Sequence, residues 1–275
     1  MLLKNKRRSL ALIGNNGELG KFLQKKLSSN YQIHGNNKFK ILSRKSAKIF
    51  ARTLPLCRSI IVCAGNTRYR CTDKNDFTSH LKIVQWMDEI IKSTHPIQIL
   101  YISSTSVYGE NLKHIFTDEK TIPKPYTLYS KTKLKAEKII SSICKESKVP
   151  LCIIRLPIVV GKQTNASFPT PQNLIIQVKQ KKQTYIIPGS LYPRRPYLTI
   201  EEFAEIVEKI VQQRLSGIFN LVPDASISLI DLCCRRKVPQ KIVIKLSGHY
   251  LPLDQSFSNE KIKKALNINS IKGIM

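Results

Sequence analysis

The chain is 275 residues long and carries 46 Lys and Arg against 18 Asp and Glu, a formal charge of +28. At 42% hydrophobic residues it is a globular sequence rather than a disordered polyelectrolyte, long enough for one large domain or two lobes around a sizeable core. Its longest apolar runs, such as Ile60-Ile61-Val62-Cys63-Ala64, fall far short of the roughly 18 residues of a membrane span. The basic stretch from Lys4 to Arg8 leads into no signal-type apolar segment.

Strand-like and helix-like patterns alternate from the start. Residues 9–14 read as a buried strand, 18–28 as a helix, 31–36 and 59–64 as strands, and 76–93 as one amphipathic helix. Residues 97–103 read as strand, 129–145 as helix and 151–156 as strand. Short β-branched runs separated by helices of this length imply βαβ crossovers and a parallel sheet covered on both faces. Beyond Leu156 the pattern loosens and prolines accumulate at 157, 169, 171, 188, 193 and 196. A smaller lobe is expected there, with a helix at 200–214 and a strand at 217–222 returning to the main sheet.

The charge raises nucleic acid as a partner, but Lys and Arg recur along the whole chain, with only short clusters at 4–8, 179–182 and 235–237. A solvated basic exterior is the favoured reading. Seven cysteines form no Cys-x-x-Cys pair, which points to reduced thiols in a cytoplasmic protein. The five histidines show no ligand spacing, so no metal is expected.

Three motifs carry chemistry. Gly14-Asn15-Asn16-Gly17-Glu18-Leu19-Gly20 lies between the first strand and first helix. Glycines there allow a tight turn, and the helix N-terminus can meet a diphosphate with its amides. The spacing is G-x-x-G-x-x-G rather than the commoner G-x-G-x-x-G, so alone it is weak. Tyr129 and Lys133, four residues apart, share one helical face, where an ammonium lowers the pKa of a phenol and fits it for acid/base work. Alone, that pair is a common chance match. The strand ending Ser103-Ser104-Thr105-Ser106-Val107-Tyr108-Gly109 brings hydroxyls to the carboxyl edge of the sheet, where open α/β sheets place their chemistry.

Taken in order, these motifs resemble the extended short-chain dehydrogenase/reductases, the NAD(P)-dependent nucleotide-sugar epimerases, dehydratases and reductases. The similarity continues through Tyr129-Ser130-Lys131-Thr132-Lys133-x-x-Ala136-Glu137, Ile154-Arg155-Leu156, Val160-Gly161 and Gly189. It runs on through the segment from Arg195 to Glu202, Phe219-Asn220-Leu221 and residues 258–266. The resemblance implies an α/β, Rossmann-type doubly wound parallel sheet with a small C-terminal substrate-binding lobe. Residues 1–156 would bind NAD(P), and 157–275 would be mainly the substrate lobe, with 196–222 packing back on the first domain.

Residue by residue, the resemblance implies a catalytic set of Ser104, Tyr129 and Lys133. Ser104, with Thr105 beside it, orients the substrate; Tyr129 is the acid/base and touches both substrate and cofactor; Lys133 holds the nicotinamide ribose. Gly14, Asn16, Gly17, Glu18, Leu19 and Gly20 would hold the cofactor diphosphate, with Ala64 and Gly65 on the adenosine side. Arg195 would meet the phosphates of a nucleotide-sugar substrate, a role suited to its planar fork. Family members often pair as homodimers through the helices here at 76–93 and 129–145.

Several positions depart from the family pattern. Asn36 ends the second strand, where NAD-preferring members carry an acidic residue; with Lys38, Lys40, Arg44 and Lys45 nearby, NADP is favoured over NAD. His80 stands where the family often has asparagine, and Ile158 where many sugar epimerases have one. The short stretch from 37 to 58 predicts a reduced third strand and helix. Thr105-Ser106 replace the acids of 4,6-dehydratases, which favours an epimerase or keto-sugar reductase. The alternative is a non-catalytic protein of this fold that binds RNA or another polyanion, for which the charge speaks.

Overall fold

The first strand, β1 (Arg8–Ile13), explains the sheet: Leu10 and Leu12 enter one core and Ala11 and Ile13 the other, all four fully buried. A strand apolar on both faces needs helices above and below. In the computed structural model, which describes residues 8–36, 40–41, 43–65, 78–109, 116–161, 184–188, 193–228, 231, 243–247 and 254–274, it has them. The chain continues through α1 (Glu18–Leu27), β2 (Tyr31–Gly35), α2 (Arg44–Thr53), β3 (Ser59–Val62), α3 (Thr78–Gln85), α4 (Met87–Thr94) and β4 (Gln98–Ser104). A single 3-10 turn, Thr105–Tyr108, then α5 (Leu128–Glu146), β5 (Leu151–Leu156) and β6 (Ile158–Val160) follow. The remainder comprises β7 (Thr184–Pro188), β8 (Arg194–Thr199), α6 (Ile200–Gln213), β9 (Gly217–Asn220), β10 (Ser226–Ser228), β11 (Val243–Ser247) and α7 (Glu260–Leu266).

The main sheet has six parallel strands in the order β2-β1-β3-β4-β5-β9. One face packs on α1 and α6 through Leu23, Leu27, Phe203, Val207 and Ile210. The other packs on α2, α3, α4 and α5 through Phe50, Ile83, Met87, Ile90, Ala136 and Ile140. This is the doubly wound α/β architecture. The chain winds outward from β1 in both directions, which makes the carboxyl ends of β1 and β3 the crevice where such sheets take ligands. Between β2 and β3 the described residues include α2, which keeps ten residues, and no strand.

A small mixed sheet, β10-β8-β6, and a two-stranded parallel pair, β11-β7, make up the rest. The C-terminal segment is tied down by carboxylates. Glu202 accepts from the backbone N–H groups of Lys272 and Gly273 at 2.7 and 2.8 Å, and Asp224 accepts from Ile271 N and Asn259 Nδ2.

One expectation needs correcting. The stretch read as a single helix over 76–93 is two helices, α3 and α4, separated at Trp86, whose φ of −108° and ψ of 17° leave the helical range; residues 76 and 77 lie outside the described residues. The apolar stripe runs unbroken through Ile83, Val84, Met87, Ile90 and Ile91, so periodicity has nothing with which to register the break.

Candidate active site

Three chain segments meet at the carboxyl end of β1. Gly14 has φ +96°, and a Cβ on it would lie 2.6 Å from Ala64 Cα, so the turn after β1 runs directly against the end of β3. Gly20, in the first turn of α1, abuts the Gly14 carbonyl and Asn15 Cα, which lets the helix start close to the strand. Asn36 reaches the same turn from β2, its Oδ1 accepting from Gly14 N at 2.8 Å. The residues predicted to cradle a cofactor thus converge from β1, β2 and β3. At Gly17, the N-cap of α1, a Cβ would meet only Gly14 O at 3.3 Å, and the glycine itself brings no capping side chain. An open backbone at a helix N-terminus fits a diphosphate. Glu18, in the first turn, puts a carboxylate beside that same N-terminus.

The second half of the site is set by α5. Thr127 and Ser130 form a reciprocal capping box, with Thr127 Oγ1 accepting from Ser130 N at 3.1 Å and Ser130 Oγ from Thr127 N at 3.1 Å. That anchor places half-buried Tyr129 in the first turn, at the positive end of the helix dipole. One turn on, Lys133 is 5% exposed; its Nζ donates to Ile102 O at 2.9 Å and lies 5.2 Å from the centre of the Tyr101 ring. Burial pushes the Lys133 ammonium down to about 8, against the opposing pull of Cys63 and Glu137. Ser104 closes β4; its Oγ accepts from Ser106 N at 3.2 Å, with buried Thr105 between them.

Two neighbours are unsuited to the same proton chemistry. Burial holds the Tyr101 phenol well above its ordinary pKa, with Tyr129 and Glu137 adding to it. Burial likewise raises the Cys63 thiol to about 12, with Lys133 pulling the other way.

Behind this surface lies a buried polar network in which the sequence showed motif residues without roles. Arg155 on β5 grips Glu137 on α5 through Nε–Oε1 at 3.1 Å and Nη2–Oε2 at 2.7 Å, and Ser103 Oγ donates to the same carboxylate at 2.5 Å. The Arg155 guanidinium also stacks 4.7 Å from the centre of the Tyr108 ring. Tyr108 Oη donates to Asn220 Oδ1 at 2.8 Å, and Asn220 N donates to Glu119 at 2.7 Å. Burial works against the Arg155 charge, but the hydrogen bonds and charge of Glu137 outweigh it and its pKa rises. His80 is also in contact with the site: its ring meets Tyr129 edge to face, centroids 5.7 Å apart at 73°. Arg195 stands on β8 of the mixed sheet opposite Ile227, with Nη1 donating to Arg194 O at 3.4 Å.

The sequence profile of the NAD dependent epimerase/dehydratase family matches residues 11–221. Among curated relatives, dTDP-D-glucose 4,6-dehydratase of Dictyostelium discoideum is 26% identical over 172 residues, covering 58% of this chain but only 38% of that protein's length. The UDP-glucose 4-epimerase of Thermotoga maritima, solved with UDP-glucose, superposes with a TM-score of 0.82 at 15% identity, over 95% of this chain and 93% of that one. RMD of Pseudomonas aeruginosa, solved with NADPH, gives 0.76 at 18% identity, over 98% and 95%. At these identities the structural likeness speaks for the fold. The profile match speaks for the family.

Proposed function

The chain belongs to the NAD-dependent epimerase/dehydratase family, and from that premise we propose that it passes a hydride between a nicotinamide dinucleotide and a carbinol or keto carbon of a nucleoside-diphosphate sugar. The observation that carries this reading is Tyr129 in the first turn of α5, with the Lys133 ammonium buried one turn on and Ser104 at the end of the adjacent β4.

In this reading the positive end of the α5 dipole and the Lys133 ammonium one turn on favour the Tyr129 anion. As phenolate, Tyr129 takes the proton from a substrate hydroxyl; as phenol, it returns a proton to a keto oxygen in the reverse direction. The Ser104 Oγ spends one lone pair on Ser106 N, and in this reading its O–H is directed to the substrate oxygen. Thr105 lies beside it. Lys133, fixed by the Ile102 carbonyl, supplies the charge that tunes Tyr129 and a donor for the nicotinamide ribose. The nicotinamide, when bound, supplies the hydride acceptor or donor.

In this reading Gly14, Asn16, Gly17, Glu18, Leu19 and Gly20 hold the diphosphate at the start of α1, while Asn36, Ala64 and Gly65 line the adenosine. Asn36 brings no carboxylate against a 2′-phosphate, which favours NADP. Arg195 receives the substrate phosphates, residues 157–275 supply most of the sugar contacts, and Thr105-Ser106 in place of acids favours epimerisation or keto reduction over dehydration.

The test is to incubate purified protein with NAD(H) and NADP(H) against a panel of nucleotide sugars. A change in nicotinamide absorbance or an epimerised product is expected with at least one of them. Absence of cofactor binding, together with RNA retention that collapses as salt rises, would instead establish the polyanion-binding alternative.

A further inference from the structure

We propose that His80 is a positioning residue for Tyr129, a brace that ties the tyrosine ring to the cofactor-side loop after β3. His80 is 2% exposed, on the first turn of α3, and its imidazole has two contacts that matter. On one side it meets the Tyr129 ring edge to face, in the perpendicular arrangement that sets the positive edge of one ring against the negative face of the other. On the other side it packs against Gly65: a Cβ there would overlap the imidazole Nδ1 and Cε1. Gly65 also has φ +119°, so glycine is required both by backbone conformation and by the room the imidazole takes.

The geometry has a consequence for the proton transfer. Tyr129 is half-buried and stands in the first turn of α5, so its ring needs lateral support from outside its own helix. His80 supplies it, and takes its own bearing from the loop that carries Ala64 and Gly65. The phenol oxygen and the cofactor-side backbone are thereby held through one rigid intermediary. Misplacement of a reacting group by about an ångström costs on the order of a hundredfold in rate. The inference rests on the reading of Tyr129 as the proton carrier, but the contact itself can be tested without turnover.

The experiment pairs His80→Ala and His80→Phe, the second keeping an aromatic edge. With the substrate found in the panel, His80→Ala is expected to lower kcat by about tenfold or more, with KM and cofactor Kd within about twofold. His80→Phe should restore most of that loss. In parallel, protein labelled with ¹³C-tyrosine, its Tyr129 signal assigned by its disappearance in Tyr129→Phe, should show that signal shifted in His80→Ala as the ring current is lost. An unmoved Tyr129 signal overturns the proposal, as does a kcat within twofold of wild type, or a kcat loss matched by an equal loss of cofactor affinity. A shifted signal in a protein that turns over no nucleotide sugar upholds the contact and rejects the functional reading instead.

Discussion

At Lys133 an ammonium is 5% exposed and held by one carbonyl, Ile102 O at 2.9 Å, and burial brings its pKa from 10.5 to about 8. That gap is on the order of 3 kcal/mol of folding free energy spent on keeping a charge inside. The unfolded chain keeps the proton to about pH 10.5 while the folded chain releases it near 8, so the cost is full below pH 8 and fades as pH rises to 10.5. Lys133→Met should therefore raise stability at pH 7 by ~1–3 kcal/mol while cutting turnover about a hundredfold or more. The stability difference from wild type should shrink between pH 8 and 10.5, as read by urea unfolding. Equal stability at pH 7 would show that the charge is not desolvated. A second residue-scale test concerns Asn36, which accepts from Gly14 N. Asn36→Asp keeps an acceptor there and adds a charge, so NADP affinity should fall about fivefold relative to NAD, the scale of ~1 kcal/mol between nearby charges in water. The i,i+4 spacing made the Tyr129–Lys133 pair legible; the burial that sets the Lys133 pKa was not, because it depends on Tyr101, Cys63 and Ile102, contributed by distant segments.

At the level of elements, β4, α5 and β5 are locked by Ser103, Glu137 and Arg155, with both ion-pair partners buried. Arg155→Met leaves the Glu137 charge buried without its partner and should cost about 3–5 kcal/mol. The double variant Glu137→Leu/Arg155→Met should recover most of that, because removing both charges removes the desolvation cost as well. Equilibrium unfolding of the three proteins decides it, and a single-variant loss below about 1 kcal/mol would contradict it. Here the sequence shows each partner but not their meeting. Glu137 closes the tyrosine motif, Arg155 interrupts an apolar strand, and Asn220 ends β9, yet only the folded sheet brings β5 and β9 side by side. The strands were readable from β-branched runs bounded by turns, and Leu151–Leu156 coincides with its expected limits. The α3–α4 break was unreadable, since Trp86 is neither glycine nor proline and its neighbours keep the buried stripe.

For the whole molecule, 46 basic against 18 acidic residues leave a self-repelling surface that the described ion pairs, several of them exposed, do little to offset. Raising ionic strength from about 0.01 to 0.15 M shortens the screening length from about 30 to 8 Å and should raise Tm by a few degrees. A fall in Tm would mean that attractive pairs outweigh the repulsion. The winding of the sheet outward from β1 places β1, β3, β4 and the start of α5 around one edge, and the central claim is that Tyr129 moves a proton there while hydride passes to or from a nicotinamide. The most direct measurement is single-turnover hydride transfer, followed by nicotinamide absorbance, in wild type and Tyr129→Phe, with cofactor affinity titrated in both. The prediction is unchanged affinity within about twofold and transfer slowed by about a thousandfold, in the range expected for loss of a general acid/base. Transfer within about tenfold of wild type would contradict it.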